Sequence, residues 1–368
     1  MSTLTRISAT CGILLLAAGC AATGSIRPAP GAPDYLIAES ATRDVIQVQY
    51  LGTGGYLFRR GDNALLTAPL YSNPGLLRVA FGRIAPRTAR IDQLHPHANG
   101  ADVQAILVGH AHYDHLLDVP YIAARFHPQA IIYGSASVGR IVVAADPSLA
   151  GRMRVLGPGL ARDGQPGEWI YLGDSTIRFM AIESDHGPHS WGLHLMQGEV
   201  RGGLKHAPRR SWGWREGQTL AYLIDFLAAD GHVDFRVHYQ DATSHFPLGA
   251  PPEFVLTDSH RVDLAIVAVG AWFQVPDYPG ALLQSMRPRH VILGHWENFF
   301  RSALKPPRAL FYTTRLRAFV DYIDGQLPED SRWLVPLPMA TYLFPVTAAV
   351  APATSSPVEV EGADAATP

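Results

Sequence analysis

Cysteine is almost missing: the 368 residues include two, Cys11 and Cys20, both within the first twenty positions. A disulfide framework holding the body of the chain together is therefore excluded. Neither sign of charge is in excess, with 30 Lys and Arg against 32 Asp and Glu for a formal −2. That balance gives no electrostatic reason to expect nucleic acid. No Gly-x-Ser-x-Gly turn occurs, so a serine nucleophile on such an elbow is not available. The Gly-rich stretch Gly52-Thr-Gly-Gly55 is followed by no clear helix and no Lys-Ser or Lys-Thr pair, and reads as a hairpin turn, not a phosphate cradle. No repeat and no second linker interrupts the middle of the chain. With 47% hydrophobic residues, it can bury a sizeable core as one domain.

The N-terminus has its own pattern. Met1 to Arg6 carries one positive charge, Ile7 to Leu16 is mainly apolar, and Ala17-Ala18-Gly19-Cys20 supplies small residues. The apolar run is far shorter than the roughly 20 residues of a spanning helix, so residues 1–19 read as a secretory signal peptide. The small residues ending at Cys20 resemble the lipobox of bacterial lipoproteins. That resemblance implies acylation of Cys20 and a place in the bacterial cell envelope, on the periplasmic face of a membrane. The alternative is an ordinary signal peptide cleaved nearby. Residues 20–43, rich in Ala, Gly and Pro, read as a lipid-anchored tether, 44–347 as the folded domain, and 348–368 as a disordered tail. An exported fold without disulfides relies on its core and on any bound metal for stability.

Within the domain, one stretch dominates: Val108-Gly-His110-Ala-His112-Tyr-Asp114-His115-Leu-Leu-Asp118. It follows the short apolar run Val103 to Val108, a buried strand emptying into a loop. Given 16 His in the chain, three at these offsets arise by chance about 0.03 times per sequence, before the Asp is demanded. A His-rich surface loop is thus the weaker reading. Histidines at i and i+2 on an extended loop can point at one ion, and Asp114 and His115 just beyond can face a second. Neutral imidazole with carboxylate is the donor set that suits zinc.

His110-x-His112-x-Asp114-His115 resembles the HxHxDH motif of the metallo-β-lactamase superfamily, whose members are mostly dinuclear metallohydrolases. The order of elements agrees. Strands come in series over Val45 to Leu51, Tyr56 to Arg60 and Ala64 to Ala68. A helix (Asp118 to Phe126), a strand (Ala130 to Tyr133) and a helix (Ser135 to Ala145) follow. Next come a hairpin (Trp169 to Leu172, Thr176 to Ser184) and strands over Trp191 to Met196, Thr219 to Ile224 and Phe235 to Tyr239. The last third alternates: strand Leu264 to Val269, helix Pro279 to Met286, strand His290 to Leu293, helix Leu310 to Ile323. This pattern fits two sheets between helices, and the resemblance implies the same αββα sandwich.

The resemblance also implies further ligands at later strand ends. Asp185-His186-Gly-Pro-His189 offers two histidines for the third-motif position, with His186 first after the strand and His189 as reserve or substrate contact. Asp241 resembles the bridging Asp of the fourth motif, with Asp225 as competitor. Gly294-His295 resembles the fifth. The implied arrangement has His110, His112 and His186 or His189 on one ion, Asp114, His115 and His295 on the other, and Asp241 between. Two divalent ions, expected to be zinc, would lower the pKa of a shared water towards 7, and the resulting hydroxide would attack a phosphodiester, ester or lactone, with Asp114 orienting it. The substrate is then a small or lipid-like molecule, with an envelope membrane reached through Cys20 and no nucleic acid.

One departure stands out. The family commonly carries an Asp where this chain has Ala68 in Leu66-Thr67-Ala68-Pro69, and Thr67 or Asp118 are the candidates to fill the gap. The Leu-Thr-Ala-Pro run and the early hairpin resemble the branch of ascorbate-phosphate lactonases and N-acyl-phosphatidylethanolamine phospholipases. The rival reading, supported by Ala68, is a non-catalytic envelope metal-binding or assembly module that keeps the fold. A redox di-iron protein is disfavoured, because that branch usually has Glu where His112 stands. Among the remaining histidines, His95-Pro-His97 reads as a surface loop and His245 as a residue lining the pocket. Arg201 to Arg215, with five basic residues, Trp212 and Trp214, reads as a lid or lipid-contacting loop or as a solvated hairpin insertion.

Overall fold

The computed structural model describes residues 28–32, 45–96, 102–189, 191–257, 260–310 and 314–346. The signal peptide, Cys20, most of the tether, His97 and the tail lie outside the described residues. The first sheet begins as an antiparallel meander of β1 (Val45–Gly52), β2 (Gly55–Arg60) and β3 (Asn63–Thr67). It continues through the parallel strands β4 (Asp102–Leu107), β5 (Ile131–Gly134) and β6 (Met153–Val155). The second sheet repeats the plan. Here β7 (Ile170–Leu172), β8 (Ile177–Ser184), β9 (Thr219–Leu227) and β10 (Val233–Tyr239) are antiparallel. Then β11 (Leu264–Ala268), β12 (His290–Gly294) and β13 (Arg332–Leu334) run parallel. The last strand, β14 (Thr341–Pro345), returns to pair with β1 and closes the edge of the first sheet.

Period-two alternation decides which side chains meet. On β4, Ala105 and Leu107 join Ile46, Phe179 and Tyr222 between the sheets. Ile106 and Val108 face the other way, onto Ile122, Val138 and Ile141 of helices Val119–Arg125 and Ala136–Ala145, and an irregularity in the β3–β4 pairing just after Val103 puts that side chain on the same face. On the far side, Leu283 and Phe319 of helices Gly280–Met286 and Leu316–Asp324 pack against β11 and β12. Helices therefore cover both outer faces, and the fold is the αββα sandwich. Each fully buried aliphatic or aromatic side chain contributes about 1.5–3 kcal/mol. Asp225, the competitor for the fourth-motif carboxylate, is spent on this framework. It accepts from Arg236 Nε at 2.7 Å and Arg178 Nε at 3.0 Å across β8, β9 and β10.

Three expectations need correction. Trp191 to Met196 forms no strand, because Trp191, Gly192 and Met196 all take positive φ (49°, 71° and 57°), which breaks extended pairing. The last helix starts at Leu316, not Leu310, because Arg315 sits in the left-handed region at φ 39°. His95 is no surface residue: it is 3% exposed, with Nδ1 3.1 Å from the Tyr71 hydroxyl and Nε2 2.8 Å from His127 Nε2. Shorter elements include helices Leu76–Phe81, Thr88–Leu94 and Glu253–Thr257 and the 3-10 turns Pro147–Arg152, Ser211–Gly213 and Trp272–Gln274.

Candidate metal centre

The loop after β4 is sewn to the second sheet before it presents any ligand. Tyr222 donates its hydroxyl to Val108 O at 2.9 Å, Leu220 N donates to Gly109 O at 2.8 Å, and Ala111 N to Glu216 O at 2.8 Å. His112 is extended (φ −63°, ψ 151°), and its ring lies 4.7 Å from that of His110, so the two imidazoles fall on the same side. The helical turn Tyr113–Leu116 then places Asp114 and His115 one step further on. All four are buried.

The other donors arrive from three strand ends. His186 follows β8, Asp241 follows β10 and His295 follows β12. They complete three groups, each with donor atoms within 4.8 Å of one another: His110, His112 and His186; Asp114, His115 and His295; and His110, His115 and Asp241. Asp241 links the first two, lying 3.2 Å from His110 Nδ1 and 3.0 Å from His115 Nδ1. Asp114 lies 3.7 Å from His115 Nε2 and 3.4 Å from His295 Nε2. His295 adopts φ 53°, a left-handed conformation that costs a non-glycine residue roughly 1–2 kcal/mol. It is held by its own N–H donating to the Tyr50 hydroxyl at 3.2 Å. Glu297 secures Tyr50 in turn, accepting from that hydroxyl and from Thr53 N.

Between the two candidates for the third motif, geometry separates the roles. His186 Nδ1 donates to Gly187 O at 2.7 Å, which fixes the tautomer and leaves Nε2 with a free lone pair. His189 stacks on His186 at 4.7 Å, but its Nδ1 accepts from Leu195 N at 3.2 Å. It stands beside the groups, 5.3 Å from the His112 ring. His245 is apart: its side chain is 47% exposed and pairs with Asp185 at 2.8 Å.

Protonation follows from burial and neighbours. Burial, then the charge of His110, lowers His112 well below its ordinary value, and burial followed by His110 does the same to His186. Burial alone would raise Asp114 and Asp241, yet His115 above all holds both below the usual carboxylate range. Those two carboxylates in turn raise His115 against its burial, so His112 and His186 stand ready as neutral donors and a cation taking the place of the His115 proton would keep both carboxylates ionised. The buried nitrogens His110 Nε2 and His112 Nε2 have no hydrogen-bond partner. An unmet polar atom in such a place costs about 1–3 kcal/mol, so the residues fit a cation.

Neither candidate for the gap at Ala68 fills it. Thr67 Oγ1 donates to Gly54 O at 2.6 Å and accepts from Tyr56 N at 2.7 Å. Asp118, pushed up to about 6 chiefly by burial, accepts from Tyr71 N, Ser72 N and Ser72 Oγ. Among the described residues, no hydrogen bond joins either to a candidate ligand. Sequence reasoning missed three neighbours. Glu216, raised to about 7 by burial and then Asp185, brings Oε2 to 4.0 Å from His112 Nε2. It lies in a long connection without strand periodicity and so carried no signal. Tyr239 donates to Gly54 O at 2.7 Å, with its oxygen 3.2 Å from Asp241 Oδ2. Gly54 itself must lack a side chain, since a Cβ there would stand 2.5 Å from His115 Nδ1. The early Gly-rich turn is thus a hairpin turn pressed against the centre.

Two sheets between helices, with imidazoles and carboxylates gathered at one rim where strands end, define a metallo-β-lactamase-type sandwich whose clusters could hold divalent metal. The chain belongs to the beta-lactamase superfamily: the model of the beta-lactamase superfamily domain matches residues 80–296, a span that holds all seven clustered side chains. Membership makes it, in general terms, a metal-dependent hydrolase. No curated protein matches the chain. Among solved structures it is similar to Igni18, a metallo hydrolase from the archaeon Ignicoccus hospitalis, at 13% identity and TM-score 0.47, covering 82% of this chain and 98% of that one. It is similar to YhfI, a metallo-beta-lactamase fold protein from Bacillus subtilis, at 12% identity and TM-score 0.46, covering 82% and 100%. It is also similar to CmlA, a diiron beta-hydroxylase from Streptomyces venezuelae, at 13% identity and TM-score 0.44, covering 83% and 54%.

Proposed function

We propose that this chain is a dinuclear, zinc-dependent hydrolase of a phosphodiester, an ester or a lactone, exported and held to the cell envelope through an acylated Cys20. One observation carries the reading: two triads of donor atoms, each within 4.8 Å, share a boundary at Asp241. His110, His112 and His186 would hold one ion, Asp114, His115 and His295 the other, with Asp241 between them. When bound, such a pair supplies Lewis acidity toward a carbonyl or phosphoryl oxygen and makes a water nucleophile available near neutral pH. The chain's own groups do the rest. Asp114, kept ionised by its imidazole neighbours, accepts a hydrogen bond from the attacking water and sets its direction. His189 and Glu216 border the first triad and offer polar contacts to a substrate.

A non-catalytic metal-binding module is the second reading, and the unfilled gap at Ala68 favours it. Metal content of the purified chain, measured together with turnover of phosphodiester, lactone and β-lactam substrates with and without chelator, separates the two. About two ions per chain and chelator-sensitive turnover that His110→Ala abolishes support the hydrolase. Bound metal with no turnover on any substrate leaves the module. No bound metal overturns both.

A further inference from the structure

Three segments meet beside the centre: residues 73–91, 201–215 and 299–308. Ser211 Oγ donates to Val79 O at 2.7 Å and Ile84 N to Arg209 O at 2.8 Å. Asn73 ties in the third, donating from Nδ2 to Phe299 O and accepting from Ala303 N, both at 3.2 Å. The Phe299 ring packs 5.0 Å from that of His295, so the joined surface begins at the rim of the site. These segments hold twelve Lys and Arg and no Asp or Glu, in a chain whose totals are 30 and 32. The near-zero net charge conceals one strongly basic face on an otherwise acidic molecule.

Apolar side chains stand out among those charges. Leu77 is 72% exposed, Phe81 59%, Trp212 55% and Leu304 54%, and helix Leu76–Phe81 buries none of its residues. An apolar patch of this kind on a folded surface marks a place of interaction. We propose that this face docks on an anionic phospholipid bilayer, with Leu77, Phe81, Trp212 and Leu304 entering the interface and the surrounding arginines and lysines meeting headgroup phosphates. Charge complementarity selects the occupant. A second copy of the chain would bring like charges together across a two-fold axis, and a nucleic acid would have no use for exposed leucines.

The path of the chain agrees. Ala29 N donates to Val335 O at 2.8 Å and Ala29 bridges to Pro336, whose carbonyl accepts from Trp296 Nε1 at 2.9 Å. The N-terminal segment therefore joins the domain one residue along from His295, close to the 299–308 loop. The nine residues back to Cys20 reach about 30 Å when extended, so an acyl chain there would hold this face toward the membrane. The inference uses no property of the metal centre, and its failure would leave the hydrolase reading untouched.

The test is vesicle flotation of the full chain carrying Cys20→Ser, which removes the acyl site, beside the same chain with Leu77→Ser, Phe81→Ser and Trp212→Ser. Residues 1–16 are common to both, so the difference reads the folded face. The parent should float with phosphatidylglycerol-containing vesicles in low salt, release in high salt and ignore phosphatidylcholine. The triple variant should bind about tenfold more weakly, with unchanged near-ultraviolet circular dichroism. A charge variant, Arg78→Gln with Arg83→Gln, Arg209→Gln and Arg210→Gln, should lose the salt-sensitive part. Equal flotation of parent and triple variant overturns the proposal, as does equal binding to both lipids. So does displacement by short duplex DNA, or a concentration-dependent mass in light scattering that the triple variant abolishes.

Discussion

Gly109→Ala disturbs the boundary between the two triads without removing a single donor. A Cβ at residue 109 would lie 2.5 Å from Asp241 Oδ2 and 2.6 Å from its Cγ, far inside contact distance. An exposed carboxylate would swing aside at little cost. Asp241 cannot, because its side chain is fully buried and set between His110 Nδ1 at 3.2 Å and His115 Nδ1 at 3.0 Å. Overpacking of this kind costs roughly 1–3 kcal/mol. A displaced carboxylate should also weaken metal binding by about 10–100-fold, the range seen when groups that orient ligands are lost. The assay is a chelator-competition titration with elemental analysis of the loaded protein, alongside thermal melts with and without metal. The expected outcome is a folded protein with normal secondary structure that binds its second ion far more weakly. Two ions bound with parental affinity, and a parental melting temperature, would refute the placement of Asp241 between the triads.

Other consequences can be checked in parallel. His186→Ala should cut bound metal to about one ion per chain while His189→Ala keeps two, and elemental analysis of each distinguishes them. Chelation should lower the melting temperature of the parent, with a metal-concentration dependence that His110→Ala lacks. Burial takes His127 and His238 down to about 4, against roughly 6.5 unfolded. Between those values the unfolded chain binds a proton that the folded chain refuses. Stability is therefore complete above about pH 6.5 and falls toward pH 4, by up to about 3 kcal/mol per histidine; urea midpoints of His127→Gln should show a shallower fall. Asp225→Ala removes the buried carboxylate that accepts from both Arg236 and Arg178 and should cost about 3–5 kcal/mol in denaturant unfolding.

What could be read from sequence was whatever a strand end announces. The run into His110 and the strands ahead of His186, Asp241 and His295 have short apolar cores, and each delivers its ligand within a few residues. The two-sheet arrangement followed from serial strands giving way to alternation. The residues that went unread lie where no period operates. His95 looked exposed in a Pro-containing loop, yet Tyr71, Phe126 and His127 enclose it. Trp191 to Met196 has the composition of a strand but not its dihedral angles. Glu216 lies outside regular structure and is held beside His112 by backbone bonds from Ala111 N to its carbonyl and from its own N–H to Met196 O. Pairings at distances of this kind are set by tertiary packing, to which local pattern is blind.

The same division assigns different roles to the two kinds of residue. Ligand candidates stand at the ends of β4, β8, β10 and β12, where hydrogen-bonded strands on both sides fix the backbone, so metal geometry belongs to the framework. The residues proposed to contact a substrate, His189 and Glu216, stand in the long connection from β8 to β9, anchored through isolated contacts such as Glu216 N to Met196 O at 3.0 Å. Loops of that kind vary without disturbing a scaffold. Glu216→Gln should therefore leave the metal content and melting temperature of the parent intact. It should change kcat/KM by about tenfold, the size of one polar contact made or lost, with an effect that differs between phosphodiester and lactone substrates. A loss of bound metal in parallel with activity would make Glu216 a ligand, and would erase the separation between a framework that holds the ions and a loop that chooses the substrate.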